Sequence, residues 1–204
     1  MKIGLVRAKV VNTPTSDELW AELEHAAEGI KQQYELLAIN SRPAVAATRK
    51  LYRHLGKDPN RYRVASEALC RRVIRGLGLY RLTTLVDLIN LVSMVSGYAI
   101  SGLDADRLVG DTLHLGVGAE GEPYEGIGRG QLNIQGIPVY RDAVGAVATP
   151  TSDEERTKIS LSTCHLQTQI NCFAEEMPLV DTVQWTVSLL EKYAEGCNFD
   201  IRYF

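Results

Sequence analysis

The stretch Thr84-Leu85-Val86-Asp87-Leu88-Ile89-Asn90-Leu91 divides the chain into two textures. It is apolar, lacks glycine and proline, and reads as a buried helix. Ahead of it lie helical stripes. Trp20, Leu23, Ala27, Ile30, Tyr34 and Leu37 step by three and four, which predicts one helix running to about Ala38. Its start is signalled by Thr13-Pro14-Thr15-Ser16-Asp17-Glu18, where a hydroxyl accepts from free amides and early acids suit the helix dipole. Pro43 opens a second helix through Leu55, stopped by Gly56-Lys57-Asp58-Pro59. Ser66 is expected to cap a third, from Glu67 to about Arg75.

Behind the stretch, glycines recur, and the short apolar runs 113–117 and 144–148 suggest strands. Residues 2–12 also read as a strand. Pro178 precedes a last helix striped by Val183, Val187, Leu190 and Ala194 and stopped by Gly196, after which Phe199, Ile201 and Tyr203 alternate as a terminal strand. The expected fold is α+β, a helical N-terminal third over a largely antiparallel β core. It forms one domain, residues 1–204: a mostly helical N-terminal extension (1–62), a core (63–163) and a C-terminal helix and strand (164–204).

The chain's 204 residues are 45% hydrophobic and 23% charged, the profile of a soluble globular protein. No run approaches the length of a membrane span, and the N-terminus lacks the apolar run of a signal peptide. The four cysteines form no CxxC pair, and only Cys164-His165 puts a thiol beside an imidazole. Neither a zinc site nor a disulfide framework is expected, and the thiols suit a reducing cytoplasm. Gly126-Ile127-Gly128-Arg129-Gly130 lacks the strand-turn-helix setting of a phosphate loop, and there is no GxxxxGK. No cofactor is implied.

The net charge of -3 hides an asymmetry. From Arg42 to Arg81 there are eleven basic residues and two acids, Asp58 and Glu67. An anionic partner explains such a segment, and so does a solvated helical face. Arg49, Lys50, Arg71, Arg72 and Arg75 are the candidates for nucleic-acid binding, with Arg71 and Arg72 foremost because guanidinium grips phosphate bidentately.

Four landmarks then fall in one order. They are Ala65-Ser66-Glu67-Ala68-Leu69-Cys70-Arg71-Arg72; the segment Leu85–Val92 on the pattern VDxTNxV; the segment Leu103–Gly110 on the pattern FDxDKIxG; and Gly121-Glu122. Ile137-Pro138-Val139-Tyr140-Arg141-Asp142 with Gly145-Ala146-Val147 follows as a hairpin. Together, over roughly residues 63–163, they resemble the B-three/four editing domain of the phenylalanyl-tRNA synthetase beta subunit. In that enzyme the module removes tyrosine wrongly attached to phenylalanine tRNA. The resemblance implies hydrolysis of an aminoacyl-tRNA ester by an oriented water, with tRNA as partner. It implies a pocket bordered by Asn90, Ser101, Gly121-Glu122 and the Thr149–Asp153 loop. The chain departs from the pattern at Ile89, which replaces the threonine before the hallmark Asn90, and at Ser101, which stands where the family has its editing-site histidine. The family's later acid has no clear match. Asp153, Glu154 or Glu155 stands near its place, while Thr151-x-x-Glu154 also fits a helix-capping box. Three functions are compatible with these departures: a trans-acting ester hydrolase, a non-catalytic module that binds RNA or an amino-acid-like ligand, and an interaction protein that retains only the fold.

Overall fold

The structure, a computed structural model, describes residues 1–204. Its main sheet has four antiparallel strands. These are β1 (Lys2–Lys9), β2 (Ala99–Asp104), β8 (His165–Cys172) and β9 (Cys197–Tyr203), in the order β2-β8-β1-β9. Strand β1 is therefore an inner strand, although it opens the segment read as a helical extension. Alternation along β1 explains its place. Val6, Ala8 and Val10 point to the helices, and Ile3, Leu5 and Arg7 line the opposite face.

Five α-helices accompany the sheets: α1 (Asp17–Gln33), α2 (Pro43–His54), α3 (Ala65–Ile74), α4 (Thr84–Ser96) and α5 (Leu179–Ala194). Ser16 caps α1 by accepting from the Leu19 amide at 3.2 Å. Leu19, Leu23, Ala27 and Ile30 are its buried stripe. The helix stops at Gln33, earlier than its periodicity suggested. Tyr34 turns to extended backbone, and Leu37, the stripe's last expected member, is 77% exposed. Helix α4 runs past Leu91 to Ser96, because the first residue able to end it is Gly97, whose φ of 77 makes the left-handed cap. Ser66 lies inside α3 and caps nothing. Its hydroxyl donates to the Gly97 carbonyl at 2.7 Å and ties α3 to the end of α4.

The main core lies where α1, α4 and α5 cover one face of the main sheet, with Leu19, Leu88, Val92, Ile170, Val183 and Leu190 fully enclosed. Two smaller sheets complete the fold. One joins β3 (His114–Val117), β6 (Pro138–Arg141) and β7 (Ala146–Ala148), and the other pairs β4 (Glu125–Gly126) with β5 (Gly130–Gln131). Leu103 of β2 packs with Tyr140, Val147 and Ala148, so the three-stranded sheet sits over the β2 side of the main one. No helix is long and apolar enough to cross a membrane.

Candidate functional site

Helix α4 presents Val86, Ile89 and Asn90 on one face, at the three- and four-residue spacing that makes helical neighbours. Opposite lie Ile100 and Gly102 of β2. The loop after β7 supplies Thr149, Ser152 and Asp153, and the segment beyond it Lys158 and Ile159. Together with Ala65, Leu82, Thr83 and Ile127 they enclose a cavity of about 390 Å³. Its room depends on a missing side chain. A Cβ on Gly102 would stand 2.3 Å from Ile89 Cδ1 and 2.9 Å from Ile159 Cδ1. An isolated glycine in an apolar strand is the sequence signal for such close approach.

The polar groups of the cavity are Asn90, Asp153, Lys158 and the hydroxyls of Thr83, Thr149 and Ser152. The Asn90 amide makes no hydrogen bond within the chain, so both its donor and its acceptor are available to a ligand. Asp153 is the acid. Its Oδ2 accepts from the Gly102 amide at 3.0 Å. Burial pushes its carboxyl up to about 7, against the opposing pull of the Gly102 amide and the Ser101 hydroxyl. Ser101 itself is buried and does not line the cavity.

The loop that carries Asp153 is held from several sides. Thr149 Oγ1 donates to the Ser152 carbonyl and accepts from the Ser152 amide, at 2.8 and 3.1 Å. Buried Tyr124 donates to the same carbonyl at 2.6 Å. Tyr52 and Thr151 share a hydrogen bond of 2.9 Å. No helix starts at Thr151, and the capping box suggested by Thr151 and Glu154 does not form. Thr151 is occupied by Tyr52, and Glu154 caps only the single 3-10 turn Glu155–Thr157 by accepting from Arg156 at 2.8 Å.

Of the expected pocket residues, Asn90, Thr149 and Asp153 converge on this cavity. Gly121 and Glu122 do not line it. Glu122 accepts from Arg141 Nε and Nη2, both at 2.7 Å, and from the Ala119 amide at 2.8 Å. The bidentate pair shapes a turn whose left-handed corner is Gly121, with φ 69. Asp87, part of the same hallmark segment as Asn90, is also internal. It accepts from Thr15 Oγ1 at 2.5 Å and from the Leu82 amide at 3.0 Å.

The profile of the B3/4 domain matches residues 47–177, nearly two thirds of the chain. The chain belongs to the B3/4 domain family. Among curated proteins none matches it. Among solved structures it is similar to an N-terminal fragment of the phenylalanyl-tRNA synthetase beta subunit from Pyrococcus horikoshii, at 16% identity and a TM-score of 0.48. The alignment covers 58% of this chain and 42% of that one, so this chain spans well under half of that fragment. The cavity lies within the matched B3/4 region, whereas β1, α1, α5 and β9 lie outside it.

The basic segment of this B3/4 domain is divided: Arg42, Arg49 and Lys57 are buried, Arg63, Arg71 and Arg72 are half-buried, and Lys50, Arg53, Arg61, Arg75 and Arg81 are exposed. Arg49 is buried, and its guanidinium reaches both carboxylate oxygens of Glu67, at 3.1 and 2.9 Å, as well as the Pro59 carbonyl. That commitment removes it from any phosphate surface. Arg42 is likewise buried, donating to Glu176 and to the carbonyls of Met94 and Val95 that α4 leaves free. Lys57 donates to the Asn133 carbonyl. Arg71 donates to the Leu36 carbonyl, and Arg72 binds the carbonyls of Leu77 and Gly78 and stacks over Tyr80. Lys50 and Arg75 are exposed, with no salt-bridge partner. The Arg71 guanidinium is pushed below its ordinary range, chiefly by burial, with Arg63, Arg75 and Arg49 adding positive charge around it. Arg63 and Arg75 thus flank the two ends of α3, whose first residue, Ala65, borders the cavity.

Proposed function

We propose that this chain hydrolyses the ester of an aminoacyl-tRNA in trans, with the aminoacylated 3′ end in the Asn90–Asp153 cavity. One observation carries the reading: the Asp153 carboxyl, raised by burial to about 7, and the unpartnered Asn90 amide line the same cavity, beside the apolar walls Val86, Ile89, Ile100, Ile127 and Ile159. A general base works best when its pKa lies near the working pH. In the ionised form Asp153 takes a proton from a water molecule, and the water oxygen bonds to the ester carbonyl carbon. The carbonyl oxygen gains negative charge, and the Asn90 N–H groups are the donors available to it. The bond to the ribose oxygen then breaks, and that oxygen takes the proton back from Asp153. Free amino acid and deacylated tRNA are the products, and no protein nucleophile is needed.

The walls Val86, Ile89, Ile100, Ile127 and Ile159 suit an apolar or aromatic aminoacyl group. With Ser101 outside the cavity lining in the place of a histidine, Asn90 engaged by the ester carbonyl, and the Thr149 and Ser152 hydroxyls donating to loop carbonyls, no neutral donor of the site is dedicated to a phenol. Hydrophobic walls alone separate side chains by size, at roughly 1–3 kcal/mol per methylene. Little preference for tyrosyl over other large aminoacyl esters is therefore expected. Arg63, Lys50 and Arg75 would meet the tRNA backbone, with Arg71 and Arg72 supporting them.

The test is incubation with a panel of mischarged tRNAs, following loss of the ester. Deacylation should rise with pH through about 7 as Asp153 ionises. Asp153→Asn should lower it by roughly 10²–10⁴, the usual contribution of a positioned base. Binding of every tRNA with no ester loss above background would replace the hydrolase by a non-catalytic binding module. Strong tyrosine selectivity would overturn the reading of the walls.

A further inference from the structure

Strand β2 ends at Asp104 and is followed by the 3-10 turn Ala105–Arg107, while antiparallel β8 begins at His165. Asp104 lies opposite Leu166, so the turn that carries Asp106 meets Cys164 and His165 at one corner of the main sheet. Their donor atoms converge. His165 Nδ1 lies 2.9 Å from both Asp106 oxygens. Cys164 Sγ lies 3.4 Å from Asp106 Oδ2 and 3.7 Å from the same His165 nitrogen. We propose that Asp106, Cys164 and His165 form a binding site for a zinc-like transition-metal dication, with the fourth position open to solvent.

The distances carry the argument. Zinc binds sulfur at about 2.3 Å and nitrogen or oxygen at about 2.0–2.2 Å, which at tetrahedral angles sets donors roughly 3.4–3.6 Å apart. Two of the three edges lie within about 0.2 Å of that range, and only the carboxylate must draw back from the ring by roughly 0.5 Å. Without an ion, the Asp106 carboxylate accepts from both neighbours, from the Cys164 thiol at 3.4 Å and from His165 Nδ1 at 2.9 Å. A metal ion would take the place of those two protons. A hydrogen-bonded relay would use the two opposite ring nitrogens. Here both partners crowd Nδ1, as they would around a common ion.

The donor chemistry selects the ion. Thiolate, imidazole and carboxylate together suit zinc and its neighbours, whereas magnesium and calcium take oxygen ligands. Thiolate and carboxylate carry two negative charges, which a dication balances. The scaffold is set in advance. Asp104 accepts from the Asp106 amide at 3.1 Å and from Thr163 Oγ1 at 2.8 Å, binding the turn to the residue before Cys164. The Cys164 carbonyl accepts from the Val10 amide at 2.9 Å. All three side chains are exposed, so a solvent molecule can complete the coordination. None of them lines the Asn90–Asp153 cavity, and the site stands independently of the ester-hydrolysis reading.

The test uses the full chain, stripped with a chelator and titrated with Co²⁺. One equivalent should produce a thiolate-to-cobalt charge-transfer band and tetrahedral d–d bands, and Zn²⁺ should displace both. Cys164→Ser should abolish the charge-transfer band, and His165→Ala and Asp106→Asn should each weaken binding at least tenfold. Cys197→Ser, at the other exposed thiol, should leave the spectrum unchanged. Because the ligands lie at the surface, the variants should keep the wild-type circular dichroism. No charge-transfer band at millimolar Co²⁺, or a band that survives in Cys164→Ser, would overturn the proposal.

Discussion

Replacing Asp153 by Asn should make the protein more stable at alkaline pH and change little in acid. The folded chain raises this carboxyl from 3.8 to about 7, chiefly by burial. Between those values the folded state holds a proton that the unfolded chain has released, so stability falls as pH rises. At 1.36 kcal/mol for each decade, the ionised form costs the fold about 4 kcal/mol above pH 7. From pH 5 to pH 8 the wild type should lose roughly 2–3 kcal/mol through this group. Asn keeps the shape, and its Oδ1 can still accept from the Gly102 amide, as Asp153 does at 3.0 Å. It cannot ionise. Urea unfolding at pH 5, 6.5 and 8 measures the difference. With an m-value of about 2 kcal/mol/M, the wild-type midpoint should drop by roughly 1 M more than that of Asp153→Asn across this range. Parallel pH dependences in the two proteins would refute the placement of Asp153, and with it the base assigned to the reaction.

Other outcomes follow from single contacts. Glu67→Gln should destabilise by roughly 3–5 kcal/mol in thermal or urea unfolding, because it leaves the buried Arg49 guanidinium without its counter-charge. Gly102→Ala should cost about 1–3 kcal/mol and narrow the cavity, since Ile89 and Ile159 must both shift, and deacylation should fall with it. Asn90→Ala should leave unfolding almost unchanged, its amide having no partner in the chain, while lowering ester hydrolysis by about 10–10³. If tRNA binds along α3, Arg63→Ala with Arg75→Ala should flatten the salt dependence of binding by about 1–2 in log–log slope. An unchanged slope would place the RNA elsewhere.

Much of the architecture was legible because periodicity and punctuation agree with packing. The helix that opens at Thr84, the Pro43 start and the alternating last strand all satisfy local rules and tertiary burial at once. Local rules went astray where a side chain had a distant partner. Ser66 has the chemistry of a cap, but the Gly97 carbonyl, 31 residues on, claims its hydroxyl. The same holds for the basic segment. Counting charges finds Arg42 and Arg49 but cannot see that Glu176 and Glu67 wait for them. The cavity was half legible. Asn90 and Thr149 sit in recognisable segments, whereas Asp153, Glu154 and Glu155 are three acids in a row. What singles out Asp153 is the bridge pairing it with Ala148 and its approach to the Gly102 amide. Neither leaves a mark in the sequence.

The place of β1 has a consequence for how the chain is made. It is synthesised long before β8 and β9, yet it lies between them, and Gly4 meets Ile170 across the ladder. At roughly 5–20 residues per second, a ribosome needs about 8–30 s to deliver that partner. Throughout that interval the nascent strand offers bare amides and carbonyls on both edges, together with its apolar Val6–Val10 face. The sheet cannot close until both late strands have cleared the exit tunnel. Slow translation or truncation ahead of residue 165 therefore leaves an aggregation-prone chain, and nascent copies should depend on chaperones that hold extended apolar segments.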